Sequence, residues 1–293
     1  ILMWFRIGIG FAFKRAMKDY NHVLSDFTEE LRRATNMDEG FAALEKAVDK
    51  LGLRGVLYAI IPHIMLGKCP LVFKFSDSYA LFLGVYGEAR LDLHDPILSK
   101  AAAGETKVID WQTERKMNEM TKKEREVFQV ARDFQITSGK TRLLMHEKPY
   151  FAVSSIIGSN GDRDFYNLLI EREDIVSEVI RLFHVEVMTR WYRPDIFCKP
   201  WIDTLTPTQH SVLQGYLNHK TNKIIAREIG RSEGYIKNLS RDISKKLGGT
   251  DANGDPLYSR DQIVSTFFAL RLHIPAHHEH LFRRNVNTHS DST

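Results

Sequence analysis

The chain has 293 residues, 43% of them hydrophobic and 27% charged, with a formal net charge of +4 at pH 7. It has no low-complexity tract and no evident repeat, so its composition is that of an ordinary soluble protein long enough for two domains. Its two cysteines, Cys69 and Cys198, lie far apart without CxxC spacing. This argues against a disulfide framework or a zinc site and fits a reducing, cytoplasmic location.

Residues 1–16 are interpreted as a leader that precedes the natural start, with Met17 as the expected initiator. Ile1–Phe13 is apolar with Arg6 inside it, and it is too short to span a bilayer. No small-residue cleavage site of a signal peptide follows it. We therefore leave this segment out of the predicted fold and expect no membrane partner.

Residues 17–193 alternate between helical and strand-like patterns. In chain order the predicted elements are a helical region Asp19–Leu51, strands Gly55–Ile61 and Leu71–Phe75, helix Ser78–Glu88, a helix capped by Thr121 and Glu124 that continues through Val127–Phe134, strands Thr141–His146 and Tyr150–Ile157, and one long helix Asp162–Trp191. Helices, strands and then helices indicate an antiparallel sheet covered on both faces. The first domain is therefore predicted to be an α/β/α sandwich, and the chain to belong to the α+β class.

The segment 194–204 is predicted to link two domains. Pro194 and Pro200 end the long helix, because proline lacks an amide hydrogen and restricts the residue before it. A second domain is expected at 205–273, and the polar residues 274–293 are expected to form a disordered tail. The cluster His277-His278-Glu279-His280 in this tail lacks a supporting scaffold, so we predict no functional metal site.

The segment Leu205–Leu247 has the pattern of three short helices in succession. The first begins at Thr206-Pro207-Thr208-Gln209, which has the residues of a capping box and a proline at the first helical position. The second follows Thr221 and ends at Gly230, and Ser232 caps the third. This spacing is that of a helix-turn-helix.

The third of these helices has an apolar face and a basic face. Its apolar positions recur three or four residues apart and should pack inward: Ile236, Leu239, Ile243 and Leu247. Residues 205–249 hold eight Lys or Arg against three Asp or Glu, a charge of +5, which is typical of a polyanion-binding surface. The alternative is the solvated face of an ordinary surface helix, but the caps, the turn and the spacing favour DNA binding. The residues predicted to contact DNA are Lys237, Asn238, Ser240, Arg241 and Lys245.

Five short motifs carry a resemblance to a known family: Leu205-Thr206-Pro207, Lys220-Thr221, Ile225-Ala226, Ile236 and Lys245-Lys246-Leu247. They resemble the C-terminal DNA-binding unit of LuxR-type transcription regulators. The resemblance implies four helices, of which the third reads DNA and the fourth serves dimer contacts, so a homodimer is expected. The fourth helix should open at Ser259-Arg260-Asp261-Gln262, after a loop Gly248–Tyr258 that is longer than in the family and rich in turn residues.

Two residues of this segment depart from the family pattern. The family's acidic residue early in the first helix is here Gln209, which can still complete the capping box. Its glycine before the Lys-Thr pair is here His219. We interpret the first change as mild.

The first domain also has motifs with a family spacing: Leu93-His94-Asp95-Pro96, Trp111 and Ile136-Thr137-Ser138-Gly139. They resemble the autoinducer-binding domain of LuxR-type regulators, which holds an N-acyl homoserine lactone in a closed pocket. The resemblance implies that Asp95 accepts the ligand amide N–H, Tyr86 contacts the acyl carbonyl, Trp111 walls the lactone end and Ser155 adds a hydrogen bond. From the residues alone, Asp95 is interpreted first as a helix cap before Pro96, and only the resemblance makes a ligand contact equally favoured. Tyr86 and Trp111 are equally core residues.

One predicted pocket residue departs from the family. Four residues before Tyr86, where the family usually has a tryptophan that donates to the lactone carbonyl, this chain has Phe82. Phenylalanine keeps the wall but has no donor, a loss of about 1–3 kcal/mol for a lactone. The pocket is therefore expected to take an altered lactone, a different small molecule, or nothing.

The leading interpretation is a ligand-responsive, dimeric DNA-binding regulator of the quorum-sensing type. The alternative is a regulator that binds a non-lactone ligand or acts without one, with its pocket filled by side chains such as Phe82, Phe134 and Phe151. No nucleophile–base pair, metal-ligand spacing or glycine-rich phosphate loop supports an enzyme, so we predict neither catalysis nor a cofactor. The expected partners are double-stranded DNA, a small autoinducer and a second copy of the chain.

Overall fold

The computed structural model describes residues 22–63, 72–104, 106–115, 120–147, 150–159, 163–193, 198–251 and 253–269. They divide into two compact units. The main part of the first, the sheet unit, is 22–61, 72–147 and 151–192, and that of the second, the helical unit, is 193–269. The predicted leader 1–16, the predicted tail 274–293 and Cys69 lie outside the described residues.

The sheet unit alternates helices and strands along the chain. In order they are α1 (22–33), α2 (Met37–Lys50), β1 (Val56–Pro62), β2 (Val72–Phe75), α3 (Ala80–Glu88), α4 (Pro96–Ala103), β3 (Val108–Asp110), α5 (Trp111–Arg115), α6 (Lys122–Asp133), β4 (Ile136–Glu147), β5 (Tyr150–Ser159), α7 (Arg163–Glu171) and α8 (Glu173–Glu186). Single turns of 3-10 helix lie at Asp77–Tyr79 and Leu91–His94, and a π-helical turn, Val187–Trp191, extends α8.

The five strands form one sheet in the order β2-β1-β5-β4-β3. The edge strands pair antiparallel with their neighbours, with Leu57 opposite Phe75 and Ile109 opposite Thr141. Neighbouring residues of a strand point to opposite faces. Ile157 packs with Phe82 of α3, whereas a side chain on Gly158 would meet Phe165 of α7, so helices cover both faces. The predicted α+β class and α/β/α sandwich are confirmed.

The predicted single helix from Asp162 to Trp191 is wrong, because the chain breaks it at Arg172. This residue has φ −118° and ψ 14°, outside the helical region, and its guanidinium donates to the carbonyl of Leu51. The apolar spacing continues across the break, so the pattern alone does not reveal it. Two strands also differ from the prediction: β4 starts at Ile136 rather than Thr141, and the short β3 was not predicted.

The helical unit contains α9 (Lys199–Ile202), α10 (Pro207–Leu217), α11 (Asn222–Glu228), α12 (Glu233–Gly248) and α13 (Arg260–Ala269). The predicted helix starts are confirmed: Thr206 and Gln209 form the capping box of α10, and Thr221 and Ser232 cap α11 and α12. The helix α9 lies within the segment predicted to be a linker. Across the described residues, no helix is both long and apolar enough to cross a membrane.

The core of the helical unit is apolar and closely packed. Val212, Ile225 and Ile236 are buried, and a side chain on Gly215 would lie 2.7 Å from Ile225, so α10 and α11 approach closely. The turn between them places His219 at φ 57°, a left-handed conformation that favours glycine. Its ring stacks on Phe268 of α13 with centroids 5.0 Å apart. The histidine therefore occupies a glycine-type position and gains a contact with α13.

Candidate ligand site and candidate nucleic-acid surface

Phe82 and Tyr86 share one face of α3 because they lie four residues apart on a helix. Phe82 is buried and Tyr86 is half-buried, and their ring centroids lie 5.4 Å apart. Phe134, at the end of α6, packs against Phe82 with centroids 6.2 Å apart. Together with Tyr79 and Trp111 they form an aromatic cluster over the sheet beside Ile157.

Asp95 caps the start of α4, and its carboxylate accepts hydrogen bonds from two sets of donors. Its Oδ1 accepts from the amides of Ile97 at 2.7 Å and Leu98 at 3.4 Å, and Pro96 takes the first helical position. Its Oδ2 accepts from the Tyr86 hydroxyl at 2.7 Å. The cap role is therefore present, and within the described residues the buried carboxylate already has a phenol donor. A carboxylate has about four acceptor positions, so Oδ2 retains capacity for one more N–H.

The electrostatics of this pair keep Tyr86 a donor. Burial raises the pKa of Tyr86 well above its usual value, and the neighbouring Asp95 raises it further, so the phenol stays protonated. Burial also raises the pKa of the Asp95 carboxyl, while the hydrogen bonds from Tyr86 and the α4 amides lower it. The pair is thus a phenol donating to a carboxylate in partly apolar surroundings.

Trp111, Thr141 and Ser155 form a hydrogen-bonded chain across two neighbouring strands. The indole Nε1 of Trp111 donates to Thr141 Oγ1 at 2.8 Å, and the hydroxyls of Thr141 and Ser155 lie 2.8 Å apart. Trp111 opens α5, where Asp110 accepts from the next amide at 2.8 Å. A side chain on Gly139 would lie 2.7 Å from the indole, so only glycine lets Trp111 lie against β4.

The five residues predicted to contact ligand do not all meet directly. Phe82, Tyr86 and Trp111 share the aromatic cluster, Asp95 joins it through Tyr86, and Ser155 is connected to Trp111 through Thr141. Thr141 was not predicted, because an isolated threonine in a strand carries no spacing signal. Strand alternation places it on the same face as Gly139, which the sequence motif did contain.

The predicted DNA-contact residues of α12 divide into an outward and an inward set. Lys237, Asn238 and Arg241 are exposed and Lys245 is half-exposed, so they form an outward face. Ser240 is 9% exposed and lies on the inner side with the buried Ile236 and Ile243. It is therefore not available to DNA in this arrangement.

Two cations of α12 make contacts that the sequence does not predict. Arg241 forms an ion pair with Asp255 of the loop that precedes α13. Lys246 donates to the Gln209 side chain at 2.9 Å and to the Thr204 carbonyl at 3.1 Å, which fastens α12 to the start of α10. Gln209, which stands where the family has an acidic residue, thus still forms the capping box and accepts from Lys246. Its amide oxygen carries no charge.

An open cleft of about 520 Å³ lies in the helical unit near the turn between α10 and α11. Cations and anions both line it, among them Lys220, Lys223, Glu233, Arg260 and Asp261. Small-molecule sites are usually enclosed, so this open cleft does not fit an acyl ligand. No group of three metal-ligating side chains is found in the described residues.

A model of the autoinducer binding domain family matches residues 36–184. Among solved structures, the chain is similar to CepR2 from Burkholderia cenocepacia, an N-acylhomoserine lactone dependent LuxR family transcription factor, at 16% identity and a TM-score of 0.48, over 58% of this chain and 96% of that one. SdiA from Escherichia coli aligns over 89% of this chain and 98% of its own, at 15% identity and a TM-score of 0.43. The structure of SdiA in complex with octanoyl-rac-glycerol aligns over 90% of this chain and 97% of its own, again at 15% identity and a TM-score of 0.43. No curated protein has significant sequence similarity to the chain.

The family match covers half of the chain and includes all five residues of the candidate ligand site. The sheet unit is accordingly a signal-binding domain. The chain belongs to the autoinducer binding domain family. Receptors of this family bind a small autoinducer and are not enzymes. The resemblance predicted for the first domain, the non-enzymatic role and a small signal molecule in place of a cofactor are therefore confirmed.

Proposed function

We propose that the protein is a cytoplasmic, homodimeric transcription regulator whose sheet unit binds a small acyl signal and whose helical unit binds DNA. The observation that carries this proposal is that one chain has an autoinducer binding domain and, after it, two capped helices joined by a short turn, the second with an outward basic face. A basic face on a short helix after a tight turn fits the major groove. A signal-binding domain alone needs no such face.

The ligand site is proposed at Phe82, Tyr86, Asp95, Trp111 and Ser155, with Thr141 added. The spare capacity of Asp95 Oδ2 suits a ligand amide N–H, and the Tyr86 hydroxyl beside it suits an acyl carbonyl. An amide ligand would add a further donor to a carboxylate that already accepts from Tyr86 and the α4 amides. The aromatic cluster supplies the apolar wall for an acyl chain.

The DNA surface is proposed at Lys237, Asn238, Arg241 and Lys245, and Ser240 is left out because it is buried. Arginine and asparagine side chains read base edges in the major groove, and lysine neutralises phosphates. A dimer would place two copies of α12 on successive half-sites. Ligand binding would raise the population of the folded sheet unit by mass action and so favour the dimer.

The direct test of DNA binding is a gel-shift assay with the full chain, using duplexes that the wild-type protein selects from a random pool. Arg241→Ala should lose about tenfold or more in affinity, since a base-reading arginine contributes about 1–3 kcal/mol. Arg181→Ala is the matched control, because it removes the same charge from an exposed position on α8. Unchanged affinity for Arg241→Ala would contradict the assignment of the DNA surface.

A second candidate function, favoured by Phe82, is regulation by a ligand other than a lactone. Phe82 offers no donor to a lactone carbonyl, and the described polar groups around it already satisfy one another. The discriminating variant is Phe82→Trp, measured by thermal unfolding with acyl homoserine lactones. A lactone shift that appears or grows in the variant supports a non-lactone natural ligand, and an equal shift in both proteins supports a lactone.

A further inference from the structure

The loop before α13 is acidic, and hydrogen bonds connect its described residues. Residues 249–257, here named the acidic loop, contain Asp251 and Asp255 and no Lys or Arg. The Asp251 carboxylate accepts from the amides of Asn253 at 2.9 Å and Asp255 at 2.8 Å, which closes an Asx-type turn. Thr250 and Pro256 form an antiparallel bridge across the base of the loop. The position of Asp255 is thus fixed by backbone bonds and not by its own side chain.

The acidic loop places this carboxylate on the proposed DNA-binding surface. Asp255 pairs with Arg241 of α12, and both side chains are more than half exposed. Arg241 lies on the outward face of α12, together with Lys237 and Asn238. Asp255 therefore adds a negative charge at the edge of a surface whose proposed partner is a polyanion.

A carboxylate and a phosphate present the same acceptor chemistry to a guanidinium, and each can take both of its parallel N–H groups. DNA that engages Arg241 must first separate it from Asp255 or accept a like charge beside its own phosphates. Both routes weaken binding, since like charges close together repel and the exposed pair has a modest stability of its own.

We propose that Asp255 is an intramolecular competitor for DNA, which holds Arg241 in the free protein and lowers the affinity of α12 for duplexes. The inference rests on the proposed DNA-binding function of α12. It assigns the long loop a role in setting that affinity. A site that supplies a strong bidentate acceptor to Arg241 displaces Asp255 more readily than a single phosphate does, so the loop also favours specific over nonspecific DNA.

The test compares DNA affinities of the full chain by fluorescence anisotropy at low and moderate salt, using a random duplex and a selected duplex. Asp255→Asn should bind the random duplex about three- to tenfold more tightly at low salt, because it releases Arg241 for a DNA phosphate. Its salt dependence should steepen by about one phosphate contact. The matched control is Asp251→Asn, which removes the same charge from the same loop but keeps an Asx turn and has no contact with Arg241.

A third variant tests whether the effect passes through Arg241. In an Arg241→Gln background, Asp255→Asn should change the affinity by less than about twofold, since the pair it relieves is gone. The proposal is overturned if Asp255→Asn binds as weakly as the wild type or more weakly, or if Asp251→Asn gains as much. Failure of the wild-type chain to bind any duplex would overturn the proposed function and, with it, this proposal. The other negative outcomes would overturn this proposal alone.

Discussion

The two candidate sites use polar side chains in opposite ways. In the sheet unit, the polar groups of Tyr86, Asp95 and Trp111 are partly buried and hydrogen-bonded within the unit. In the helical unit, Lys237 and Arg241 of α12 are exposed, and Arg241 pairs with an exposed carboxylate. Buried polar groups are costly to leave unsatisfied, whereas exposed ion pairs contribute about 0–1 kcal/mol. The stability of the sheet unit should therefore change when a single polar atom is removed. The DNA affinity of the helical unit should depend on the sum of its charges.

The largest effect is expected at Asp95, where one carboxylate serves the α4 cap, Tyr86 and the proposed ligand. Asp95→Ala should lower the free energy of unfolding by about 2–4 kcal/mol, because it removes the cap and leaves the Tyr86 hydroxyl without its acceptor. Asp95→Asn should cost about 1 kcal/mol or less, since asparagine caps as well as aspartate. Urea denaturation of both variants measures the difference.

Both Asp95 variants should fail to gain stability from an acyl ligand, because neither offers the charged acceptor. Similar small losses of stability in the two variants would show that the partly buried site tolerates changes as an exposed one does. The contrast between the two units would then not hold.

The pH dependence of stability should reveal His184, another buried polar group of the sheet unit. Burial lowers its pKa to about 4, and its Nδ1 lies 2.7 Å from the hydroxyl of the buried Tyr58. In the unfolded chain the pKa is about 6.5, so acid protonates the unfolded state first. Stability is therefore full above about pH 6.5 and falls by up to about 1.4 kcal/mol per pH unit as the pH drops toward 4.

The control for this prediction is His184→Gln, which removes the titrating group. The variant should show a flatter pH profile between about pH 6.5 and 4 in chemical denaturation. Profiles that run parallel in the wild type and the variant would assign the acid loss to other groups.

The hydroxyl of Thr141 should contribute measurably to the free energy of unfolding of the sheet unit, although it is a small group. Thr141→Val keeps the shape but removes the acceptor of the Trp111 indole and the partner of the Ser155 hydroxyl. We expect a loss of about 1–3 kcal/mol, and recovery of most of it in Thr141→Ser, which restores the hydroxyl. Denaturation followed by near-ultraviolet circular dichroism reports both stability and the packing of the indole. Equal stability of the two variants would mean that the hydrogen-bonded chain has no energetic role.

The smallest effect is expected in the helical unit, where a charge is added to an existing contact. Gln209→Glu keeps the capping box of α10 and gives Lys246 an ionised partner at a partly buried site. We expect a gain of about 0.5–1 kcal/mol that shrinks in high salt. Thermal unfolding with Lys246→Gln as the control background separates the pair from the helix dipole. A gain that persists in that background would assign it to the dipole.

The sequence predicted the elements whose signals are local. The capping boxes, the starts of α10 to α12 and most strands follow from residues close together in the chain, and the structure has them. The family spacing of the Asp-Pro pair and of Trp111 led to the aromatic cluster, although it did not reveal that Tyr86 itself donates to Asp95.

What could not be predicted depends on contacts between distant parts of the chain. The break at Arg172 involves Leu51, the role of Thr141 needs the neighbouring strand and α5, and Asp255 reaches a helix that begins more than twenty residues earlier. In each case the deciding partner is set by packing and not by spacing.

The most direct test of the central claim is thermal unfolding of the full chain with acyl homoserine lactones of short, medium and long chains and with an extract of the source culture. The wild type and Arg241→Ala should both gain stability from the same compound, about 2.7 kcal/mol at a hundredfold excess over the dissociation constant. Asp95→Asn should gain little. An equal gain in Asp95→Asn, or no gain in any protein with any addition, would contradict a signal site at Asp95 in the sheet unit.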